Sequence, residues 1–100
     1  MGELPSISDA LIAWTGWRRT SWPQRDELRL AEEFGSEQAR ELMPKLRELE
    51  EEFYSSDARL VASSLAEMGQ MASEQFRCRH PELSEEAVRA LAWCYTFDFE

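Results

Sequence analysis

Apolar and polar positions along most of this chain alternate with the period of an α-helix. The strongest signal spans residues 57–79, where apolar side chains recur at about 100° per residue and leave only a narrow polar strip. The apolar members are Leu60, Val61, Leu65, Met68, Met71, Ala72 and Phe76. A helix with so thin a polar strip must be covered by neighbours. We therefore predict a central helix over 57–79, with the other helices packed around it.

A row of small residues runs beside that apolar face. It consists of Ala62, Ala66, Gly69 and Ser73. Such a row lets one neighbouring helix approach closely, which would explain a mid-helix glycine that costs about 1 kcal/mol relative to alanine. The alternative is an apolar ligand pocket beside the central helix, lined by Ala62, Ala66, Met68 and Gly69.

Four further helices follow from apolar spacing and from capping residues. The predicted ranges are 7–15, 24–34, 37–54 and 85–96. Serine residues stand where side-chain caps are expected, namely Ser6 or Ser8, Ser36 and Ser84. Gly16 and Gly35 are expected to end the first two helices, and Pro23 suits a first helical turn. Pro44 lies within the third pattern, where we expect it to kink the helix.

The last eight residues change period. In WCYTFDFE, aromatic residues alternate with small or polar ones, which is a strand-like rhythm, yet no second strand is evident to pair with it. One interpretation is a helix that frays into an aromatic tail docked on the bundle. The other is an edge strand that adds to a partner's sheet.

The predicted fold is all-α. We expect a single domain over residues 1–100, built as a bundle or orthogonal array of about five helices around the central helix. Residues 1–5 are predicted to be a flexible lead-in and residues 97–100 a tail. A chain of 100 residues with 43% hydrophobic residues is long and apolar enough to bury a core of this kind.

The chain is strongly acidic, and the charge is uneven. Formal net charge is −9; residues 1–25 carry +1, residues 26–57 carry −7, and residues 58–100 carry −3. This balance opposes direct binding to nucleic acid, because Lys and Arg contacts to phosphate supply most of that affinity. It favours attraction to a basic protein.

Two surfaces are candidates for such a partner. The first is an acidic face on the third helix, formed by Glu41, Glu48, Glu51 and Glu52, which could equally be an ordinary solvated face. The second is an aromatic and basic patch formed by Trp17, Arg18, Arg19 and Trp22, residue types that anchor interfaces. The alternative for this patch is structural: the Trp side chains cover the core and the Arg side chains pair with the acidic helix.

The sequence gives little support to catalysis. His80 is the single histidine, at a helix end, and no orienting carboxylate or nucleophile can be identified for it. Cys78 and Cys94 form neither a disulfide framework nor a zinc motif, and Cys94 is expected to pack as a small hydrophobic residue. We therefore expect no cofactor, no metal and no enzymatic activity.

The predicted function is a small acidic interaction protein of bacterial type that binds a basic protein, as an immunity protein, antitoxin or inhibitor would. The alternative is a small-molecule sensor using the apolar pocket described above. The first residues lack a signal peptide, and no stretch is apolar enough to cross a bilayer, so we expect a cytoplasmic protein with no membrane partner. A homodimer is left open.

Overall fold

The computed structural model describes residues 6–99, apart from the Arg59 side chain. Within that range the chain forms five helices of eight or more residues and one single helical turn, and no strand. The elements are α1 Ile7–Thr15, α2 Glu27–Phe34, α3 Ser36–Tyr54, α4 Ala58–Val61, α5 Leu65–Arg79 and α6 Glu85–Asp98. The all-α prediction is confirmed. The predicted lead-in at residues 1–5 and the last residue of the predicted tail lie outside the described range.

Helix α1 has the predicted bounds, and its ends follow from two side-chain and backbone features. The Ser6 hydroxyl accepts a hydrogen bond from the Asp9 amide at 3.0 Å, which satisfies a donor that the first turn leaves without a partner. Gly16 then adopts a left-handed conformation with φ of 82°, and its amide donates to the Ile12 carbonyl. A residue with a Cβ would be strained in that conformation, so the glycine ends the helix.

The predicted start of the second helix is wrong. Helix α2 begins at Glu27 rather than at residue 24, because the Asp26 side chain caps it by accepting from the Leu28 amide at 2.9 Å. Pro23 lies in the preceding loop, which folds back on the end of α1. The Gln24 amide donates to the Thr15 carbonyl, and the Arg29 guanidinium donates to carbonyls at the end of α1 and in the loop.

Helix α3 continues without interruption through Pro44, so the proline does not split it. Pro44 is exposed, and water can bind the backbone carbonyl whose helical partner the proline removes. The predicted cap at Ser36 is wrong. Ser36 is the first helical residue and Gly35, with φ of 92°, precedes it, with no side-chain capping bond.

The continuous helix predicted over 57–79 is also wrong. After the single turn α4, Ala62 is extended (φ −73°, ψ 147°), and α5 starts afresh at Leu65. The Ser64 hydroxyl caps α5 by accepting from the Glu67 amide at 3.1 Å. Ser64 and Glu67 have the spacing of a capping box, so this start was present in the sequence and was missed.

The break between α4 and α5 also leaves part of the predicted apolar face exposed. Leu60 is 76% exposed and Val61 is 61% exposed, while Leu65 is 40% exposed. Met68, Ala72 and Phe76 further along α5 are buried as predicted. Of the central helix predicted over 57–79, only the second half is therefore enclosed by other helices.

Among the described residues, the helix with the most helix neighbours is α3, which packs against α1, α2, α5 and α6, rather than the predicted central segment. Helix α6 packs against α1, α3 and α5, and buries one side along its whole length. Its fully buried members are Ala87, Val88, Ala90, Leu91, Cys94 and Tyr95. The small row predicted on α5 does admit a close neighbour: a Cβ at Gly69 would lie 2.8 Å from Thr96 Cγ2 of α6.

The C-terminal aromatic residues continue α6 as far as Asp98, two residues beyond the prediction. Within the described residues no part of this segment forms a strand, although its aromatic residues alternate. The Phe99 ring packs on the rings of Tyr54 and Tyr95, at centroid distances of 6.0 and 5.1 Å. The Phe99 ring thus docks on the bundle, as in the first interpretation, but the helix does not fray before Asp98 and Phe97 remains exposed.

Candidate interaction surfaces

Three of the four residues predicted for the acidic face stand together on the solvent side of α3. Glu41, Glu48 and Glu51 are exposed, and in residues 6–99 none of them has an ion pair or hydrogen bond to its side chain. Their spacing of seven and then three residues keeps them on one side of a helix. We call these three residues the acidic stripe.

The fourth residue, Glu52, belongs to a different arrangement. Its Oε2 lies 2.5 Å from His80 Nε2, and the other ring nitrogen, Nδ1, lies 3.3 Å from Glu82 Oε2. The imidazole also packs against the Phe76 ring, with centroids 4.7 Å apart. The contact between His80 and Glu52 therefore joins the end of α5 to the end of α3.

No carboxylate that could orient His80 is evident from the sequence. In the structure, two carboxylates lie against the imidazole ring. Glu82 follows the histidine by two residues, so proximity along the chain could have suggested it. Glu52 is 28 residues away and carries no sequence signal. The polar cleft beside this contact is lined by serine, glutamine, aspartate and arginine side chains, and several of them already hydrogen-bond one another.

The four residues predicted for the aromatic and basic patch have different surroundings in the structure. The Trp17 indole donates to Glu86 Oε2 at 2.7 Å, and its ring meets the Trp93 ring edge-on at 5.3 Å. Arg18 also pairs with Glu86, at 3.3 Å, and its side chain is otherwise exposed. Trp22 is about half exposed elsewhere in the loop.

Arg19 is paired inside the molecule. Its guanidinium donates two hydrogen bonds to the Glu33 carboxylate, at 2.5 and 2.9 Å. This bidentate contact lowers the pKa of Glu33 below its ordinary value and raises that of Arg19. Arg18 and Arg19 are thus paired with acids of α6 and α2, and neither pairs with the acidic stripe of α3.

A polar cluster that the sequence reasoning missed joins the first loop to the ends of α3 and α6. Arg25 contacts Glu50 Oε2 and Asp98 Oδ2, each at 3.2 Å, and the Tyr54 hydroxyl donates to Asp98 at 2.5 Å. Burial raises the pKa of Glu50, with the positive charge of Arg25 opposing the shift. The partners are separated by 25 to 73 residues in sequence, so only the fold brings them together.

The four residues of the predicted apolar pocket do not line a common cavity. Ala66 and Gly69 face a groove between α5 and α6, whereas Met68 is buried on the core side of α5 and Ala62 lies in the break before it. The groove is open to solvent along its length. Trp17 and Trp93 form one wall of it, and Arg77 and Arg89 lie at one end.

No helix of the described residues is long and apolar enough to cross a membrane. The same part of the chain contains no group of three or more His, Cys, Asp or Glu side chains placed to hold a metal ion. The two cysteines are unpaired, with Cys78 exposed and Cys94 buried.

Comparison of the chain with protein-family models, with curated proteins and with solved structures found no match. Interpretation of the surfaces therefore rests on their geometry and charge.

Proposed function

We propose that this chain is a non-enzymatic interaction domain that binds a basic protein through the acidic stripe of α3. The observation that carries the proposal is that Glu41, Glu48 and Glu51 are exposed and form no ion pair within residues 6–99. They are exposed on one rigid helix, and no cation of the described residues pairs with them.

The contrast with the other ion pairs supports this assignment. Arg18, Arg19 and Arg25 pair with acids outside the stripe. Lys45 and Arg47 of the same helix offset part of the charge of the stripe without forming an ion pair, and the remaining repulsion between its carboxylates destabilises the isolated helix slightly. A basic partner would remove that repulsion, and it would be attracted over long range by the net charge of −9.

The class of partner follows from the sign and the layout of the charge. A row of carboxylates on a helix suits Lys and Arg side chains presented by a folded protein, and electrostatic complementarity of this kind sets association rate and specificity. Immunity proteins, antitoxins and inhibitors of nucleic-acid-acting proteins fit this description, because their targets expose basic surfaces that bind phosphate.

The experiment is affinity capture from the native host, with the full chain immobilised and the captured protein identified by mass spectrometry. The purified partner is then measured by surface plasmon resonance at about 0.05 M and about 0.5 M salt. We expect a basic partner whose association slows as salt rises. The triple variant E41Q/E48Q/E51Q should lower the association rate by about an order of magnitude.

A matched control changes the same number of charges away from the stripe. The variant D9N/E32Q/E74Q neutralises three exposed acids on α1, α2 and α5, and it should bind nearly as well as the native chain. Equal losses in both triple variants would mean that only net charge matters, and the stripe would not be the site. Capture of a partner whose binding ignores salt would also contradict the proposal.

A further inference from the structure

Both ring nitrogens of His80 face carboxylate oxygens. Nε2 lies 2.5 Å from Glu52 Oε2, and Nδ1 lies 3.3 Å from Glu82 Oε2. A neutral imidazole carries one N–H, so it can donate to one carboxylate only, and the lone pair of its other nitrogen then points at a negatively charged oxygen. The imidazolium carries an N–H on each nitrogen and can donate to both carboxylates. The geometry therefore fits the protonated ring.

We propose that His80 is bound as an imidazolium and that its extra proton makes the contact between α3 and α5 sensitive to pH. While the proton is bound, the ring forms ion pairs with Glu52 of α3 and with Glu82 in the segment after α5. When the proton leaves, the ring can donate to only one of the two carboxylates. The remaining hydrogen bond also loses the positive charge of its donor, which makes it weaker. Deprotonation therefore weakens the junction between the ends of the two helices.

The immediate surroundings of the ring favour its positive charge. The His80 side chain is 16% exposed, and the Phe76 ring packs against it, so water and salt screen its ion pairs less than they would on an open surface. Burial by itself disfavours a charged ring, and two carboxylates in direct contact offset that cost.

The other charged groups near the ring do not reverse this balance. Arg79 precedes His80, and within residues 6–99 it forms no ion pair with either carboxylate. A backbone hydrogen bond lowers the pKa of Glu82, and His80 and Lys45 of α3 lower it further. Asp57, in the turn before α4, lines the polar cleft together with Arg79 and adds a negative charge on that side. The groups in contact with the ring nitrogens are thus the acids, and the cations lie farther away.

The first test observes the ring itself, because His80 is the single histidine of the chain. Long-range ¹H–¹⁵N NMR spectra of the full chain, labelled with ¹⁵N-histidine, are recorded at several values from about pH 5.5 to about pH 8.5. We expect both ring nitrogens to carry a proton at about pH 7. In Glu52→Gln the ring should lose its proton at a pH lower by at least about one unit, and in Glu82→Gln by less, because that contact is longer. Glu74→Gln, which neutralises an exposed acid elsewhere on α5, is the matched control and should leave the titration unchanged.

The second test measures the junction by urea denaturation of the native chain and of His80→Gln, which keeps a polar side chain and removes the titrating ring. The proposal requires that the folded chain bind this proton more tightly than the unfolded chain does. The resulting stabilisation is complete below about pH 6.5, the ordinary value for histidine, and is lost as pH rises until the folded ring is neutral. The native chain should therefore exceed His80→Gln in free energy of unfolding by more at about pH 6 than at about pH 8.5. An equal difference at the two pH values, a neutral ring at about pH 6, or a titration that Glu52→Gln does not change would each overturn the proposal.

Discussion

At the scale of single residues, the half-buried Tyr54 and the buried Tyr95 differ in whether the hydroxyl group has a hydrogen-bond partner. The Tyr54 hydroxyl donates to Asp98 in the cluster around Arg25. The Tyr95 hydroxyl is fully buried in the last turn of α6 and has no hydrogen-bond partner within residues 6–99. Burying a polar group without a partner costs about 1–3 kcal/mol, whereas a satisfied one contributes a modest net stabilisation.

This difference predicts opposite effects for the same substitution. Tyr95→Phe should leave the free energy of unfolding unchanged or raise it by about 1 kcal/mol, because it removes an unsatisfied hydroxyl and keeps the ring contacts. Tyr54→Phe should lower it by about 1 kcal/mol, since it removes the hydrogen bond from the Tyr54 hydroxyl to Asp98 and leaves Arg25 as the donor to that carboxylate. Urea denaturation followed by tryptophan fluorescence measures both; a clear loss of stability in Tyr95→Phe would show that its hydroxyl has a partner.

At the scale of the helices, capping side chains decided where several elements begin. Ser6, Asp26, Ser64 and Ser84 each accept a backbone amide in the first turn of their helix. From the apolar period alone, α4 and α5 are predicted as one helix, because the spacing of apolar residues continues across the break. The serine caps α5 locally, and the extended residue at position 62 then separates the two helices.

Two serine substitutions distinguish a cap from an ordinary helical residue. Ser64→Ala should lower the free energy of unfolding by about 1 kcal/mol, because the Glu67 amide loses its acceptor. Ser36→Ala should change it by less than about 0.5 kcal/mol, since Ser36 makes no capping bond and alanine suits a first helical turn.

Thermal and urea unfolding of the two variants provide the comparison. Hydrogen exchange adds a local measure, because loss of the cap should increase exchange at the first amides of α5 and leave those of α3 unaffected. Similar losses of stability in the two variants would contradict the assigned cap.

At the scale of the whole molecule, burial couples stability to alkaline pH. Burial raises the pKa of the Cys94 thiol to about 11, with Arg25 opposing that shift. The folded chain therefore keeps this proton at pH values where the unfolded chain has released it. The stabilisation is complete below the ordinary thiol pKa and is lost as pH rises through the folded value.

We expect the free energy of unfolding to fall between about pH 9 and about pH 11, at up to about 1.4 kcal/mol per pH unit for this proton. Cys94→Ala should reduce that slope, whereas Cys78→Ala should keep it, because Cys78 is exposed. Urea titrations at several pH values measure the slopes, and equal slopes in the native chain and Cys94→Ala would contradict the assignment. Tyr54, whose pKa burial also raises, contributes at the upper end of the range.

The acidic stripe and the groove lie on different parts of the molecule. The stripe lies on α3, and the groove lies between α5 and α6. Their charges also differ, since the stripe consists of carboxylates and the charged residues that line the groove are Arg77 and Arg89. The stripe is therefore the surface suited to a basic partner.

The sequence by itself determined the helical class, the bounds of α1, the cap at Ser84, and the exposed position of the acidic stripe, and it limited the cap of α1 to Ser6 or Ser8. These features depend on local periodicity and on hydrogen bonds within one turn, which neighbouring residues specify. The spacing of Ser64 and Glu67 also indicated the start of α5. The apolar period favoured one continuous helix instead, because it continues across the break.

Only the tertiary structure decided which helices are most enclosed, which cations are compensated, and which apolar residues remain exposed. Arg25 meets Asp98 across 73 residues, and Glu52 meets His80 across 28. Such contacts depend on how the helices pack, so no local sequence pattern predicts them. The exposure of Leu60 and Val61 has the same origin, because the short helix α4 turns Ala58 into the core and leaves these two side chains outside it.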